Sequence, residues 1–183
     1  MSLAGIFIAR VAIKIIAKII KAKSMTSIQL ADFNNPTHAS AIVYLLNEYA
    51  KDPMGGGEAL SAFTQANLVK EMAKRPTFHC AIAFVDGKPA GLINCIEGFS
   101  TFACKPLLNI HDVVVLAEFR GQGISSLLLK KAEEIANDLG CCKLTLEVLE
   151  GNKPAQAAYI ANGFAGYQLD PEMGRAMFWQ KKL

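Results

Sequence analysis

Hydrophobic and polar positions change period several times along the 183-residue chain, and each change marks an element. Ser27 to Asp32 (SIQLAD) alternates, the period of a strand with one buried face. Asn35, Pro36 and Thr37 offer helix-start chemistry, after which Ile42, Leu45, Leu46 and Tyr49 recur on one side of a helix. Residues 52–57 (DPMGGG) break that helix, and the consecutive glycines read as a mobile loop, either a plain linker or a gate. Thr64 to Lys74 is expected as a second, shorter helix. The apolar runs Phe78 to Val85 and Ala90 to Ser100 flank Asp86-Gly87, a dipeptide that favours a hairpin. A strand is expected over Leu107 to Leu116, then a helix with Ile124, Leu127, Leu128, Ala132, Ile135 and Leu139 inward and Gly140 at its end. Lys143 to Leu149 reads as a strand, Asn152 as the cap of a helix that tolerates Pro154 in its first turn, and Phe164 to Leu169 and Ala176 to Gln180 as final strands. Seven strands and four main helices in this order suit one α+β domain over residues 25–183, with a sheet of mixed direction.

One junction stands out. Val113, Val114 and Val115 run into residues 118–129 (EFRGQGISSLLL), a glycine-punctuated turn that opens a helix. Gly121 and Gly123 allow backbone conformations and close approaches that a side chain would forbid. The peptide N–H groups that follow are the donors at a helix start, and with the helix dipole they favour an anion. The same pattern also serves a plain strand-to-helix turn.

Arg120, Gly121, Gln122, Gly123 and Ile124 resemble the first acetyl-CoA motif of the GNAT superfamily of N-acetyltransferases, written Q/R-x-x-G-x-G/A, with Ser125 where glycine or alanine is usual. Downstream, Asn152, Ala155, Tyr159, Gly163 and Phe164 resemble the second motif, in the family's order and spacing. The resemblance covers roughly residues 26 to 183. It implies a GNAT-like, mostly antiparallel sheet of about seven strands with helices on both faces. It further implies acetyl-CoA as co-substrate without a metal, transfer of acetyl to the primary amine of a small molecule by direct attack, and a homodimer. Two other readings stand beside it: a catalytically weak CoA-binding sensor module, and a protein or peptide N-acetyltransferase.

Site roles follow from the same resemblance. The amides from Gln122 to Ser126 would hold the pyrophosphate, with Arg120 as a nearby charge, and the backbone of Val113, Val114 and Val115 would serve pantetheine and the thioester oxygen. Tyr159 falls at the position of the acid that protonates the departing sulfur; two turns beyond Asn152 on a helix, it shares that residue's face. A tyrosine that merely packs its ring fits the sequence as well. In the polyamine-type branch a leucine-glutamate-aspartate run precedes three apolar residues; His111 falls on the glutamate and Asp112 on the aspartate. The base is therefore His111, Asp112, or no dedicated residue. Successive strand positions face opposite ways, so the two are not expected to address one site together. His38, near a helix start, reads as solvated, and His79 as an edge position.

Composition narrows the setting. Five cysteines form no C-x-x-C pair and sit mostly in apolar runs, which favours reduced, buried thiols in a cytoplasmic protein. Three histidines without ligand spacing give no case for zinc. Of the net charge of +3, residues 1–24 contribute +5 through Arg10, Lys14, Lys18, Lys21 and Lys23; the remaining 14 basic and 16 acidic residues leave −2, which gives no case for nucleic acid. On a helical wheel Arg10, Lys14, Lys18 and Lys21 fall within roughly 80°, with isoleucines around much of the rest. Three readings of this cationic amphipathic segment stand: an extension ahead of a natural start at Met25, a helix packing on a neighbouring subunit, or peripheral membrane contact.

Overall fold

The computed structural model describes residues 25–167 together with 170, 172, 174 and 176–181, so the segment over residues 1–24 lies outside the described residues. Strand β1 (Thr26–Leu30) leads to α1 (Pro36–Lys51) and α2 (Ala62–Ala73). Strands β2 (Phe78–Val85), β3 (Lys88–Ser100) and β4 (Lys105–Val115) follow. A short 3-10 turn (Ala117–Phe119), α3 (Ile124–Asp138), β5 (Leu144–Leu146) and α4 (Lys153–Ala161) complete the order.

Local chemistry sets most of these boundaries. Asn35 caps α1, its side-chain oxygen accepting from the amides of Thr37 at 2.9 Å and His38 at 3.3 Å. Ser61 caps α2 through the Thr64 amide at 3.0 Å, which places the start of that helix ahead of Thr64. Asp86 and Gly87 both take positive φ, 49° and 76°, the turn that the right-handed twist of a hairpin requires. Gly140, at φ 68°, ends α3.

The sheet has five strands in the order β1-β2-β3-β4-β5, antiparallel except for the parallel β4–β5 pair. The expectation of about seven is thus corrected. The described residues of 164–169 and 176–180 form no strand, and Met177, Phe178 and Trp179 are 70–80% exposed, so they lack the buried face that fixes strand register. The strand expected over Lys143 to Leu149 shrinks to three residues. Helices do lie on both faces. One apolar layer joins α1 and α2 to Ile82, Phe84, Leu92, Val114 and Leu116; the other joins α3 to Ala81, Ala83, Ile93, Leu108 and Ile110. Leu127, expected inward, is 43% exposed, and Leu129 is buried in its place. Of the cysteines, Cys80 and Cys95 are buried as expected, whereas Cys104 and Cys142 are exposed.

Candidate active site

Leu108 and Ile110 face the α3 layer, yet Val114 and Leu116, of the same parity, face α1 and α2. An unbroken strand cannot do this. The register gives the cause: Cys95 pairs with Ile110 and Asn94 with Asp112, so β4 carries a bulge with His111 as its extra residue. The bulge inverts the pleat, and His111 is exposed. His111 and Asp112 thus do not meet in one regular pleat, and neither is brought into the cavity that Val113 to Val115 border.

The bulge also inverts which backbone groups face which neighbour. Before it, Leu108 donates its N–H to the Lys143 carbonyl at 3.1 Å, toward β5. After it, Leu116 donates to the Ala90 carbonyl at 2.9 Å, toward β3. Because N–H and C=O of one residue point the same way in a strand, Val114 also serves β3, while Val113 and Val115 turn their polar groups to the other side. Strand β5 pairs β4 only over Leu108–Ile110, so that side is open. An unpaired strand edge with free amides is thus exposed within the protein, a place where an extended polar ligand can bond.

Below the opening lies the glycine turn. Gly121 and Gly123 hold φ of 75° and 78°, and no side chain caps α3. Leu127 donates to the Gly123 carbonyl at 3.2 Å, so the amides of Ile124, Ser125 and Ser126 precede the first intrahelical bond. No acidic residue stands in that first turn. The side chains of Gln122 and Ser126 are engaged elsewhere: Gln122 Nε2 donates to the Glu118 carbonyl at 3.4 Å, and Asn162 Nδ2 donates to Ser126 Oγ at 3.1 Å.

A cavity of about 800 Å³ joins these parts. Among its walls are Val113, Val114, Val115, Arg120, Gly121, Gly123, Ile124 and Ser125 from the strand and turn, Asn152 and Tyr159 from α4 and its cap, and Tyr44, Glu48, Tyr49 and Asp52 from α1 and its end. Four of the residues singled out in the sequence are not part of its wall: His111, Asp112, Gln122 and Ser126. Asn152 accepts from the Ala155 amide at 3.2 Å, which starts α4 and aims Tyr159 inward two turns later. The Tyr159 ring lies 6.0 Å from that of Phe164. Burial, reinforced by neighbouring Tyr49, pushes its phenol above the ordinary value of 10.0, so it keeps its proton across the neutral range.

Three residues contribute that the sequence did not single out for the site. Tyr49 reads in sequence as one more core position of α1; burial, then the carboxylates of Asp112 and Asp52, push its phenol upward too. Asn94 is 1% exposed in an otherwise apolar layer and donates from Nδ2 to Asp112 Oδ2 at 3.0 Å, so Asp112 is a held carboxylate on the α1 face of the sheet. Asn94 Oδ1 has no partner among the described residues. Asp52, which reads as a helix breaker, accepts from Arg120 Nη2 at 3.1 Å, while Arg120 Nε donates to the Val115 carbonyl at 3.0 Å. The solitary histidines are accounted for as well. His38 Nδ1 accepts from the Asp32 amide at 3.0 Å with its ring against Phe84, and His79 Nε2 lies 3.9 Å from Glu97 Oε2.

A bulge leaves the second half of β4 unpaired on one side, and the cavity beside it is lined by the uncapped start of α3 and by the neutral phenol of Tyr159, an arrangement that can receive an extended ligand carrying an anion. The chain belongs to the Acetyltransferase (GNAT) family, whose model matches residues 42–164. It is similar to the thialysine N-epsilon-acetyltransferase of Bos taurus, 38% identical over 98 residues, covering 48% of this chain and 56% of that protein. The Caenorhabditis elegans protein of the same name is 30% identical over 125 residues, covering 68% of this chain and 75% of its own length. The chain thus spans little more than half of the bovine relative. Among solved structures, AAC(6')-Iy in complex with the bisubstrate analog CoA-S-monomethyl-acetylneamine superposes with a TM-score of 0.69 at 18% identity, over 87% of this chain and all of that one. A probable acetyltransferase gives 0.71 at 19%, over 86% and 99%; at such identities the likeness is one of fold. Among the described residues no helix is long and apolar enough to cross a membrane.

Proposed function

We propose that the protein transfers acetyl from acetyl-CoA to the primary amine of a small molecule by direct attack. The observation that carries this reading is the meeting of three features in one cavity: the open edge at Val113 and Val115, the helix-start amides beyond Gly123, and the phenol of Tyr159. In this reading the diphosphate of the donor sits on the amides from Gln122 to Ser126, and pantetheine extends β4 as an additional strand. A Val113 or Val115 amide meets the thioester oxygen as negative charge develops on it. As the C–N bond forms and the C–S bond breaks, Tyr159 gives its proton to the departing thiolate.

The base stays open between His111, Asp112 and no dedicated residue. His111 is the exposed extra residue of the bulge, whereas Asp112 is held on the α1 face beside Tyr49. Neither lines the cavity, so either would take the amine proton only through water, and the alternative is no dedicated base. Glu48 and Asp52 give the acceptor side carboxylates, and Tyr44 and Tyr49 give it rings, a lining suited to a cationic amine. The names of the bovine and worm relatives point to a lysine-like amine. A cytoplasmic setting follows from the reduced thiols; a homodimer rests on the family resemblance.

The test is release of free CoA thiol from acetyl-CoA over a panel of amines. Thiol release that depends on a lysine-like or diamine acceptor is expected. Binding of the nucleotide with no release over any small amine would favour the sensor module, and release with amino-terminal peptides alone would favour the peptide acetyltransferase.

A further inference from the structure

We propose that Asp52 is a positioning residue of the donor site: it holds Arg120 as a strut between the end of α1 and the end of β4, and competes for that guanidinium with the donor's diphosphate. The inference rests on the reading of the cavity as an acetyl-CoA site. Its basis is a set of bonds that the helix-breaking role of residues 52–57 does not need. Asp52 Oδ2 accepts from Arg120 Nη2 at 3.1 Å, Asp52 Oδ1 accepts from the Met54 amide at 2.9 Å, and Arg120 Nε donates to the Val115 carbonyl at 3.0 Å. The loop itself is tied down, since Gly55 and Gly57 donate to the Asp52 carbonyl at 2.8 and 3.1 Å. At Gly55 an added Cβ would meet the Tyr49 carbonyl oxygen at 2.0 Å, so the glycine permits a close return over α1. The loop expected to be mobile is thus a folded turn whose one charged tether reaches the cradle.

Stability does not account for the tether. The Arg120 side chain is 60% exposed and that of Asp52 28%, and an ion pair that wet contributes little to a fold. Its place does. Both residues line the cavity that the glycine turn opens into, where a carboxylate works against binding of an anion. The Met54 amide and then the Arg120 guanidinium hold the Asp52 carboxyl below its ordinary value, so it stays charged across the neutral range. A guanidinium has five donors in a fixed fork, and a diphosphate offers it more acceptors than one carboxylate. Donor entry therefore moves Arg120 from carboxylate toward phosphate and leaves the turn held by its own backbone bonds.

Asp52→Asn keeps an Oδ1 for the Met54 amide, removes the charge and replaces the Oδ2 that accepts from Arg120 by an amide NH2. Titration calorimetry of acetyl-CoA at low salt on the full chain, with Asp52→Asn, Arg120→Gln and the double variant, decides the matter. Asp52→Asn is expected to tighten the donor by about threefold, an effect that shrinks in high salt. A purely structural role for Asp52 does not produce a gain in affinity. In the Arg120→Gln background most of that gain is expected to vanish, because the two groups act as one unit. Unchanged or weaker binding by Asp52→Asn, or a gain of equal size in both backgrounds, would overturn the strut. Failure of the wild-type protein to bind acetyl-CoA would instead overturn the donor site itself, and the inference with it.

Discussion

Tyr159 shows how one residue's environment assigns its role. A phenol whose charged form is disfavoured by burial and by a second tyrosine is a proton donor at any pH where the protein works, and cannot serve as its base. Replacing Tyr159 by phenylalanine keeps the ring against Phe164 and removes the proton. The expected outcome is a fall in kcat of about a hundredfold with acetyl-CoA affinity unchanged, measured by stopped-time thiol release and calorimetry. In the wild-type protein kcat should also fall on the alkaline side, above the ordinary phenol value of 10.0, and that limb should be absent in the variant. Undiminished turnover would return Tyr159 to a packing role. The position of this residue was legible from the sequence, because Asn152 and Tyr159 lie two helical turns apart and Asn152 is a strong cap. Tyr49 was not. At helical spacing from Ile42 and Leu45 it reads as core, and nothing in a period of 3.6 says that its ring borders a cavity.

At the scale of elements, the site is made by two departures from regularity: an extra residue in β4 and left-handed glycines before α3. The glycines announce themselves, since only they adopt φ near +75° without strain. The bulge does not. In the run from Asn109 to Val115 every residue is compatible with an ordinary strand, and only pairing with β3 reveals that Ile110 and Asp112 oppose neighbouring residues. Reading the run as unbroken therefore placed His111 and Asp112 in the strand and missed the bulge between Ile110 and Asp112. A matched pair of substitutions isolates the glycine turn. Gly87 and Gly123 have φ of 76° and 78°, and neither has an atom within 4 Å of an added Cβ. Alanine at either position bears the same backbone penalty, about 1–2 kcal/mol. Gly123→Ala is expected to weaken acetyl-CoA about tenfold or more by tilting the amides of the first turn. Gly87→Ala, in the β2–β3 hairpin, should match its loss in Tm and leave binding intact. Equal affinities in the two variants would remove the turn from the donor site.

For the molecule as a whole, two apolar layers on opposite faces of one sheet fix where the strands can separate. β4 is anchored to α3 through Leu108 and Ile110, then to α1 and α2 through Val114 and Leu116, so its second half is unpaired by β5 and the cavity lies beside it, walled also by α1 and α4. The α+β class and the order of the elements were readable from changes of hydrophobic period, whereas the helices on both faces were implied by the family resemblance. The two final strands were overread because Ala176 to Gln180 carries strand-forming residues, and intrinsic preference yields when no neighbouring strand or buried face receives them. The most direct test of the split sheet as a donor site is an amide-resolved NMR titration with acetyl-CoA. The largest shifts are expected at Val113 and Val115 and over residues 121 to 126, saturating together as one site. Saturable shifts confined to other surfaces, or none at acetyl-CoA concentrations in the millimolar range, would contradict it.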